Sequence, residues 1–501
     1  MSHVRRAGLL IIAMACLAVF AVACGDDDDE SQPSGGGADT SADTGGDQSG
    51  GAGEKSVTDY VEYIGGKAGK ADPNKSTIYI GWLNQEGGQQ EIGAAATDGA
   101  DLAVKVANEQ LGGIDGHPVA LKKCFIKNAE EEGTTCGQKL GNDKDVAAIN
   151  VGGVAIGIQP FYSTIGGKKP VIVGVAVTPV DGAQDNATIL FGDATHVLGP
   201  FGTYAKDELD AKTAALVYPN IAGITDGAAA LDKGLKAAGI EVKKVGYAQG
   251  QTDLIGPLTA AGAQNADIVI PYSDASGCVN QAKALKQLGI TDAKKIVSAP
   301  LCLNPTVSEG LGGDYPIWTY AIASSLFGDQ SDPGMAPYMK VTEQYGVKTA
   351  PDPWVIVSFG SVLTTIKFLN EVGPDSLTSD AIVKKARSFT GPVALGAPEL
   401  QCEKYSEAPG ICNDRAQFFT YSGKNQFDKA AEWLHPPGCA GTSADAVARC
   451  ATSCSSPCSG SVPARSSPGS RSRSSSPTAA RGSSTWPPAA WRCSPATRSG
   501  R

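Results

Sequence analysis

The sequence predicts an α/β fold with two doubly wound lobes, each a parallel sheet covered by helices. From residue 77 onward, short runs rich in Val and Ile alternate with longer amphipathic runs, which is the pattern of repeated strand–helix–strand units. The strand-like runs are more numerous than a single open sheet usually contains, and this favours two sheets. The 62 glycines among 501 residues are typical of a chain with many turns and close helix–strand packing.

The part of the chain that shows this alternation is called the body here. In its first half, strand and helix patterns follow one another directly. The helix predicted at residues 97–113 has Ala100, Ala103 and Ala107 at helical spacing and ends in glycines. The strands predicted here are residues 77–83, 117–126, 146–153 and 170–177. The helices predicted here are residues 97–113, 133–143 and 158–168.

The second half repeats this alternation. The predicted strands are residues 213–219, 240–248, 266–273 and 295–301, with a last strand at residues 416–422. The predicted helices are residues 226–239, 254–265, 277–290 and 353–373. In open parallel sheets a ligand binds outside the carboxyl ends of the strands, so we expect the functional residues there.

The N-terminus has the pattern of a secretory signal. Arg5 and Arg6 precede an apolar run at residues 8–22 that is short for a membrane span. The sequence AVAC before and at Cys24 resembles the bacterial lipobox, which predicts a signal peptide at 1–23 and lipidation of Cys24. The protein is then expected on the extracytoplasmic face of the cell membrane. A plain cleaved signal and a short membrane anchor are the alternatives.

Composition separates two terminal segments from the body. Residues 24–75 are interpreted as the lipidated Cys24 and a flexible acidic tether, because Gly, Ser and Asp dominate after the cysteine. Residues 436–501 are interpreted as a disordered, low-complexity tail. From residue 447 onward only nine residue types occur, all with GC-rich codons, so we interpret this part as the product of a shifted reading frame.

Charge and cysteine content narrow the function classes. The formal net charge of −10 argues against a nucleic-acid-binding body. Six body cysteines form three sequence-local pairs, and disulfides are expected in an exported chain. These cysteines are Cys124, Cys136, Cys278, Cys302, Cys402 and Cys412. Zinc is the alternative, but the body contains no C-x-x-C, and we expect neither a metal nor a cofactor.

An enzyme is not expected. The sequence GGVAIG at residues 152–157 has neither the G-x-G-x-x-G spacing nor a P-loop lysine. The four histidines are scattered, and no G-x-S-x-G in the body has a plausible partner set.

Residues 81–122 resemble the opening of the branched-chain amino-acid (Leu/Ile/Val-type) solute-binding proteins of ABC transporters. In that family a Gly-Ala-rich helix leads to an Asn and then to a GGI-G-PV-L pattern. The matching residues are Asn108, Gly112, Gly113, Ile114, Gly116, Pro118, Val119 and Leu121. The likeness continues through residues 152–179, 199–218 and 266–273, and it covers about residues 76–434.

The resemblance implies a type I periplasmic-binding-protein-like fold, in which a three-stranded hinge joins the two lobes. Lobe one would take residues 76–198 and 327–412, and lobe two residues 199–326 and 413–435. Such a protein captures a small polar solute, an amino acid or related carboxylate or amide, and delivers it to an ABC permease with its ATPase. It is expected to act as a monomer. The alternative is an exported sensor or surface lipoprotein without a transport role.

The family's ligand contacts map onto this chain only in part. The threonine that meets the ligand carboxylate falls on Thr178, and the backbone carbonyl two residues earlier falls on Ala176. A serine of the Gly-rich turn falls on Ala155, which has no hydroxyl. The acidic residue that holds the ligand ammonium falls near Leu301, which is apolar, and an aromatic position falls near Asp274.

The resulting candidate set combines these positions with cleft-lining residues. It consists of Gln90, Ala155, Ala176, Thr178, Tyr218 and Asp274. Structural roles compete at three of them: Asp274 as a helix N-cap, Thr178 as part of a strand-end turn, and Tyr218 as a packing residue. Because the amino-acid contacts are eroded, a small polar or carboxylate-bearing solute is favoured over a standard branched-chain amino acid.

Overall fold

The computed structural model describes residues 56–88, 93 and 95–438, and every predicted strand and helix overlaps one of its elements. In chain order its strands are β1 (Ile78–Gln85), β2 (Val119–Ile126), β3 (Val146–Val151), β4 (Val171–Val173), β5 (Ala187–Ile189), β6 (Thr213–Pro219), β7 (Glu241–Tyr247), β8 (Ile268–Pro271), β9 (Val297–Ser298), β10 (Thr319–Ile322), β11 (Ala416–Gly423) and β12 (Gln426–Leu434).

The helices surround these strands and supply the covering layers. In chain order they are α1 (Tyr60–Ile64), α2 (Ala96–Gln110), α3 (Glu130–Gly141), α4 (Ile158–Ile165), α5 (Pro179–Gly182), α6 (Pro200–Thr203), α7 (Ala222–Ala237), α8 (Ile255–Ala260), α9 (Ala275–Gln287), α10 (Pro305–Leu311), α11 (Met335–Tyr345), α12 (Pro353–Val372) and α13 (Ser379–Arg387).

The described residues form one five-stranded sheet in the order β2-β1-β3-β4-β5, and all its pairs are parallel. The second lobe contains the parallel set β7-β6-β8 and the set β12-β11-β10-β9. A parallel bridge between Val269 and Ile296 connects these two sets. The hairpin of β11 and β12 joins antiparallel to β10, a departure from the all-parallel prediction.

Side chains alternate between the two faces of each sheet, and helices cover both. In β4, Ile172 packs in the cluster with α2 and α12, whereas Val171 and Val173 pack in the cluster with α3 and α4. In β6, Leu216 faces the cluster with α7, and Val217 faces the one with α8 and α9. Both lobes are therefore doubly wound, as predicted.

The tether predicted at residues 24–75 is wrong for its last part. Residues 56–75 are folded, and α1 packs its Tyr60, Tyr63 and Ile64 into the core beside α12. The Tyr63 hydroxyl lies 2.8 Å from Thr364 Oγ1, and Lys367 Nζ donates to the Tyr63 carbonyl at 3.0 Å. Three large side chains on one helical face can bury enough apolar surface to order a segment whose average composition is polar.

Three chain segments cross between the lobes: residues 190–198, 323–334 and 411–415. Side-chain amides tie them together. Asn413 Nδ2 donates to the Phe191 carbonyl at 3.2 Å, and Gln417, on β11 just after the third segment, donates through Nε2 to the Ser324 carbonyl at 2.7 Å. The crossings therefore lie side by side, which is the geometry expected of a three-stranded hinge. The lobe boundaries given above stay predictions at the level of single residues.

The structure joins the body cysteines as Cys124–Cys136, Cys278–Cys302 and Cys402–Cys412. The first of these ties β2 to α3, and the second ties α9 to the segment after β9.

Helix α12 is long and apolar enough to cross a membrane by length and composition, but most of it is buried in the core of lobe one. Cys24 and the tail from residue 439 onward lie outside the described residues.

Candidate functional site

The carboxyl ends of the parallel strands carry a concentration of buried and half-buried polar side chains. In lobe one, Asn84, Gln85 and Glu86 stand at the end of β1, and the turn at residues 152–157 follows the neighbouring β3. In lobe two, Ser273 and Asp274 follow β8. This is the edge at which ligands bind in doubly wound sheets.

The Gly-rich turn between β3 and α4 has its backbone donors directed at groups of this chain. Gly153 N–H donates to Asn84 Oδ1 at 3.0 Å, and Gly157 N–H donates to Glu130 Oε2 at 2.9 Å. Gln85 Oε1 accepts from both Ala155 N–H, at 2.9 Å, and Ile156 N–H, at 3.0 Å. The turn is therefore held by side chains from β1 and α3, and Ala155 contributes an occupied backbone donor.

Gly152 explains why this corner begins with glycine. A Cβ atom at this position would stand 2.7 Å from Asn84 Oδ1 and 3.0 Å from the Trp82 ring. The turn lies so close to β1 that only a residue without a side chain fits. Trp82 itself is fully buried and donates through Nε1 to Thr97 Oγ1 at 2.9 Å, so it packs the strand and is not exposed toward a ligand.

Glu86 is a carboxylate at this edge that the sequence interpretation did not select. Its Oε2 accepts from Asn84 Nδ2 at 3.0 Å and from Thr97 Oγ1. Glu86 is half-buried and follows β1 directly. The signal in the sequence is the polar run NQE at the end of an apolar strand, which places polar side chains where a ligand is expected.

Ala176 and Thr178 lie on the segment between β4 and α5. The Ala176 carbonyl accepts from Ala194 N–H at 3.3 Å, and Ala176 is buried. Thr178 is the N-cap of α5, and its Oγ1 accepts from Val180 N–H at 3.4 Å. Because Oγ1 is the acceptor in that capping bond, the O–H of this half-buried side chain can serve as a donor to a ligand.

Tyr218 and Asp274 stand at the ends of neighbouring strands in lobe two. Tyr218 is half-buried on β6 and borders the cluster covered by α7. Asp274 is the N-cap of α9, and its Oδ1 accepts from Gly277 N–H at 3.1 Å. Ser276 Oγ also donates to Asp274 Oδ2, at 3.1 Å. Asp274 therefore has the capping role, which leaves its charge available for long-range attraction of a ligand.

Asp193 is a buried carboxylate of the first crossing segment. His196 Nδ1 lies 2.9 Å from Asp193 Oδ1, and the His196 ring contacts the Tyr405 ring in a tilted arrangement, with 4.2 Å between ring centroids. Burial alone would raise the pKa of Asp193, but the hydrogen bond from His196 and its charge lower that pKa below its ordinary value. Burial, with a smaller contribution from Asp193, raises the pKa of Tyr272 to about 12.

The structure thus brings the candidates together as two groups. Ala155, Ala176 and Thr178 follow the neighbouring strands β3 and β4 of the first sheet. Tyr218 and Asp274 follow the neighbouring strands β6 and β8 of the second. Gln90 lies outside the described residues.

Two surface depressions lie elsewhere. One of about 570 Å³ is at the amino ends of β1, β3 and β4 and includes Lys144 and Lys169. One of about 800 Å³ lies between α4 and α13 and includes Arg387. The Arg387 guanidinium is bound there to backbone carbonyls, among them that of Gln184 at 3.0 Å. Neither depression contains the candidate residues.

The chain is similar in fold to several solved solute-binding proteins. A leucine-binding protein from Thermotoga maritima is 16% identical, with 72% of this chain and 99% of that one covered and a TM-score of 0.54. A branched-chain amino acid transporter substrate-binding protein from Streptococcus pneumoniae, in complex with isoleucine, is 18% identical, with 72% and 100% covered and a TM-score of 0.56.

A third similar structure is an ABC transporter solute-binding protein from R. palustris in complex with benzoate. It is 15% identical, with 72% of this chain and 98% of that one covered and a TM-score of 0.55. No curated protein matches the sequence significantly. The family model described as "Periplasmic binding protein" matches residues 77–404. The chain therefore belongs to the periplasmic binding protein family, with the two-lobed type I fold that its sequence predicts.

Proposed function

We propose that the protein is an extracytoplasmic solute receptor that captures a small polar solute between its lobes and delivers it to an ABC permease. The solute class is an amino acid or a related carboxylate or amide. The observation that carries the proposal is the arrangement at the strand ends, where polar groups of two sheets stand on either side of three hydrogen-bonded crossing segments. A hinge of this kind permits closure around a ligand.

The groups at this edge suit a small polar solute. Thr178 offers a hydroxyl on lobe one, and Glu86 and Asp274 offer carboxylates on lobes one and two. Tyr218 supplies a half-buried aromatic ring. Few convergent polar groups beside an aromatic wall are typical of small-molecule sites.

Membrane attachment is part of the proposal. Lipidation of Cys24 would anchor the protein on the outer face of the membrane, with the segment before residue 56 as a tether. Detergent phase partitioning of the protein from its native membrane tests this. The native protein should enter the detergent phase and a Cys24→Ser variant the aqueous phase, whereas equal partitioning would contradict the anchor.

Ligand capture is tested by a thermal-shift screen against amino acids, amides, amines and short carboxylic acids. A ligand that binds only the folded chain stabilises it by RT ln(1 + [L]/Kd), so a hit should raise Tm with dose. Thr178→Val removes the hydroxyl and should weaken the hit, and Thr178→Ser should restore it. An unshifted Tm across the whole panel would contradict the proposed function.

A further inference from the structure

Gln85 stands where the Gly-rich turn would otherwise offer its donors to a ligand. Its Oε1 accepts from Ala155 N–H at 2.9 Å and from Ile156 N–H at 3.0 Å, and the residue is fully buried. The bonds join positions 70 and 71 residues apart, so they fix the end of β1 to the start of α4.

Two adjacent backbone N–H groups just before a helix form a favourable place for an anion. In this chain, an uncharged amide oxygen of the protein fills that place. A ligand carboxylate could reach these donors only by displacing a buried side chain, and the displaced amide would lose hydrogen bonds that it makes in the free protein.

The charged side chains near this turn also disfavour a ligand anion. Glu86 is the next residue and holds its carboxylate beside Asn84 and Thr97. Glu130 is a second carboxylate at the turn, where its Oε2 accepts from Gly157 N–H at 2.9 Å. A ligand anion at this turn would therefore be repelled by the Glu86 and Glu130 carboxylates, whereas an ammonium or amide N–H would be attracted.

We propose that the Gln85 side chain occupies the backbone N–H donors of the Gly-rich turn that would otherwise bind an anion. The cleft therefore binds a solute with N–H donors in preference to one that places a carboxylate at this turn. The solute class is an amide or an amine. This inference rests on the proposed function, because it concerns which solute the same cleft accepts.

The test is isothermal titration calorimetry of the mature chain with matched pairs that differ at one group. Suitable pairs are leucinamide and leucine, glutamine and glutamate, and propionamide and propionate, with propylamine as the amine arm. We expect the amide or amine member to bind and its carboxylate partner to bind at least about tenfold more weakly, since one lost charge-assisted hydrogen bond is worth about that factor.

Gln85→Ala should free the two N–H groups and reduce the amide-to-carboxylate ratio of affinities by about tenfold or more. Gln85→Glu keeps an acceptor of the same shape on both donors and adds a negative charge. It should therefore retain amide binding, weaken carboxylates further, and remain informative if Gln85→Ala does not fold. Gln138→Ala, at an exposed glutamine on α3, is the matched control and should behave as the wild type.

Three results separate the claims. Amide or amine preference in the wild type that falls in Gln85→Ala and persists in Gln85→Glu supports the inference. Carboxylates that bind the wild type as tightly as their amides, or a ratio that neither substitution changes, would overturn it while the solute receptor stands. Absence of binding by every solute would overturn the proposed function itself.

Discussion

Breaking the buried ion pair between Lys404 and Asp414, beside the hinge, should lower the free energy of unfolding by an amount that depends on pH. Lys404 Nζ lies 2.6 Å from Asp414 Oδ1, and the side chains are only 11% and 1% exposed. The Tyr405 hydroxyl donates to Asp414 Oδ2 at 2.7 Å. Burial would raise the pKa of Asp414, but the Lys404 charge and these hydrogen bonds hold it below its ordinary value. Asp414 lies in the third crossing segment, so the pair fixes the hinge.

Asp414→Asn keeps an acceptor for Tyr405 and leaves the Lys404 ammonium buried without its counter-charge. Removal of one partner of such a pair costs about 3–5 kcal/mol, and we expect that loss in the free energy of unfolding near pH 7. Burial already lowers the pKa of Lys404, and it falls further in the variant. The folded-state pKa is then below the unfolded one, so the loss should shrink as pH rises toward about 10.

The assay is urea denaturation of the wild type, Asp414→Asn, Lys404→Met and the double variant, followed by circular dichroism. Lys404→Met with Asp414→Asn removes both charges and should cost less than Asp414→Asn alone, because no unpaired charge remains buried. A loss below about 1 kcal/mol in Asp414→Asn, or a double variant as damaged as the sum of the single ones, would refute the reasoning.

Two further predictions concern carboxylates with different roles. Asp274→Asn should keep the stability of the wild type, since Asn caps helices as well as Asp does, but should lower the affinity for a cationic ligand. Asp274→Ala should lower that affinity and also lose about 1 kcal/mol of stability. Calorimetry measures the loss of charge and denaturation the loss of the cap, and unchanged affinity in both variants would exclude a ligand role. Burial, only partly offset by the hydrogen bond from Tyr162, raises the pKa of Asp181 to about 7. Because this folded-state pKa exceeds the unfolded one, stability should fall as pH rises from about 4 to about 7, by up to about 4 kcal/mol. Asp181→Asn should be flat across that window when denaturation is followed at several pH values, and a parallel decline in both proteins would contradict the assignment.

The fold could be predicted from the sequence because periodicity carries the relevant physics. A strand with both faces buried reads as an apolar run, as in β4, and a covering helix shows one apolar face, as in α2. Composition misled the prediction at α1, where Tyr60, Tyr63 and Ile64 bury one face of a short helix inside a segment rich in polar residues and glycine.

The candidate site was less predictable, since it depends on contacts distant in sequence. The edge of the sheets follows from strand order, but the contact of Gln85 with Ala155 joins residues 70 positions apart and leaves no local pattern. The capping role of Asp274, by contrast, follows from its place directly before a helix, and the structure shows it. Local rules thus predicted the cap at Asp274, while the occupancy of the turn by Gln85 required the three-dimensional structure.

The most direct measurement is the crystal structure of the protein with a solute selected by the thermal-shift screen. The account predicts the solute between the strand ends of the two lobes, within contact of Thr178 on one side and of Tyr218 or Asp274 on the other, with Gln85 still bonded to Ala155 and Ile156. A solute bound in a surface depression away from this edge, such as the one beside Lys144 and Lys169, would contradict it.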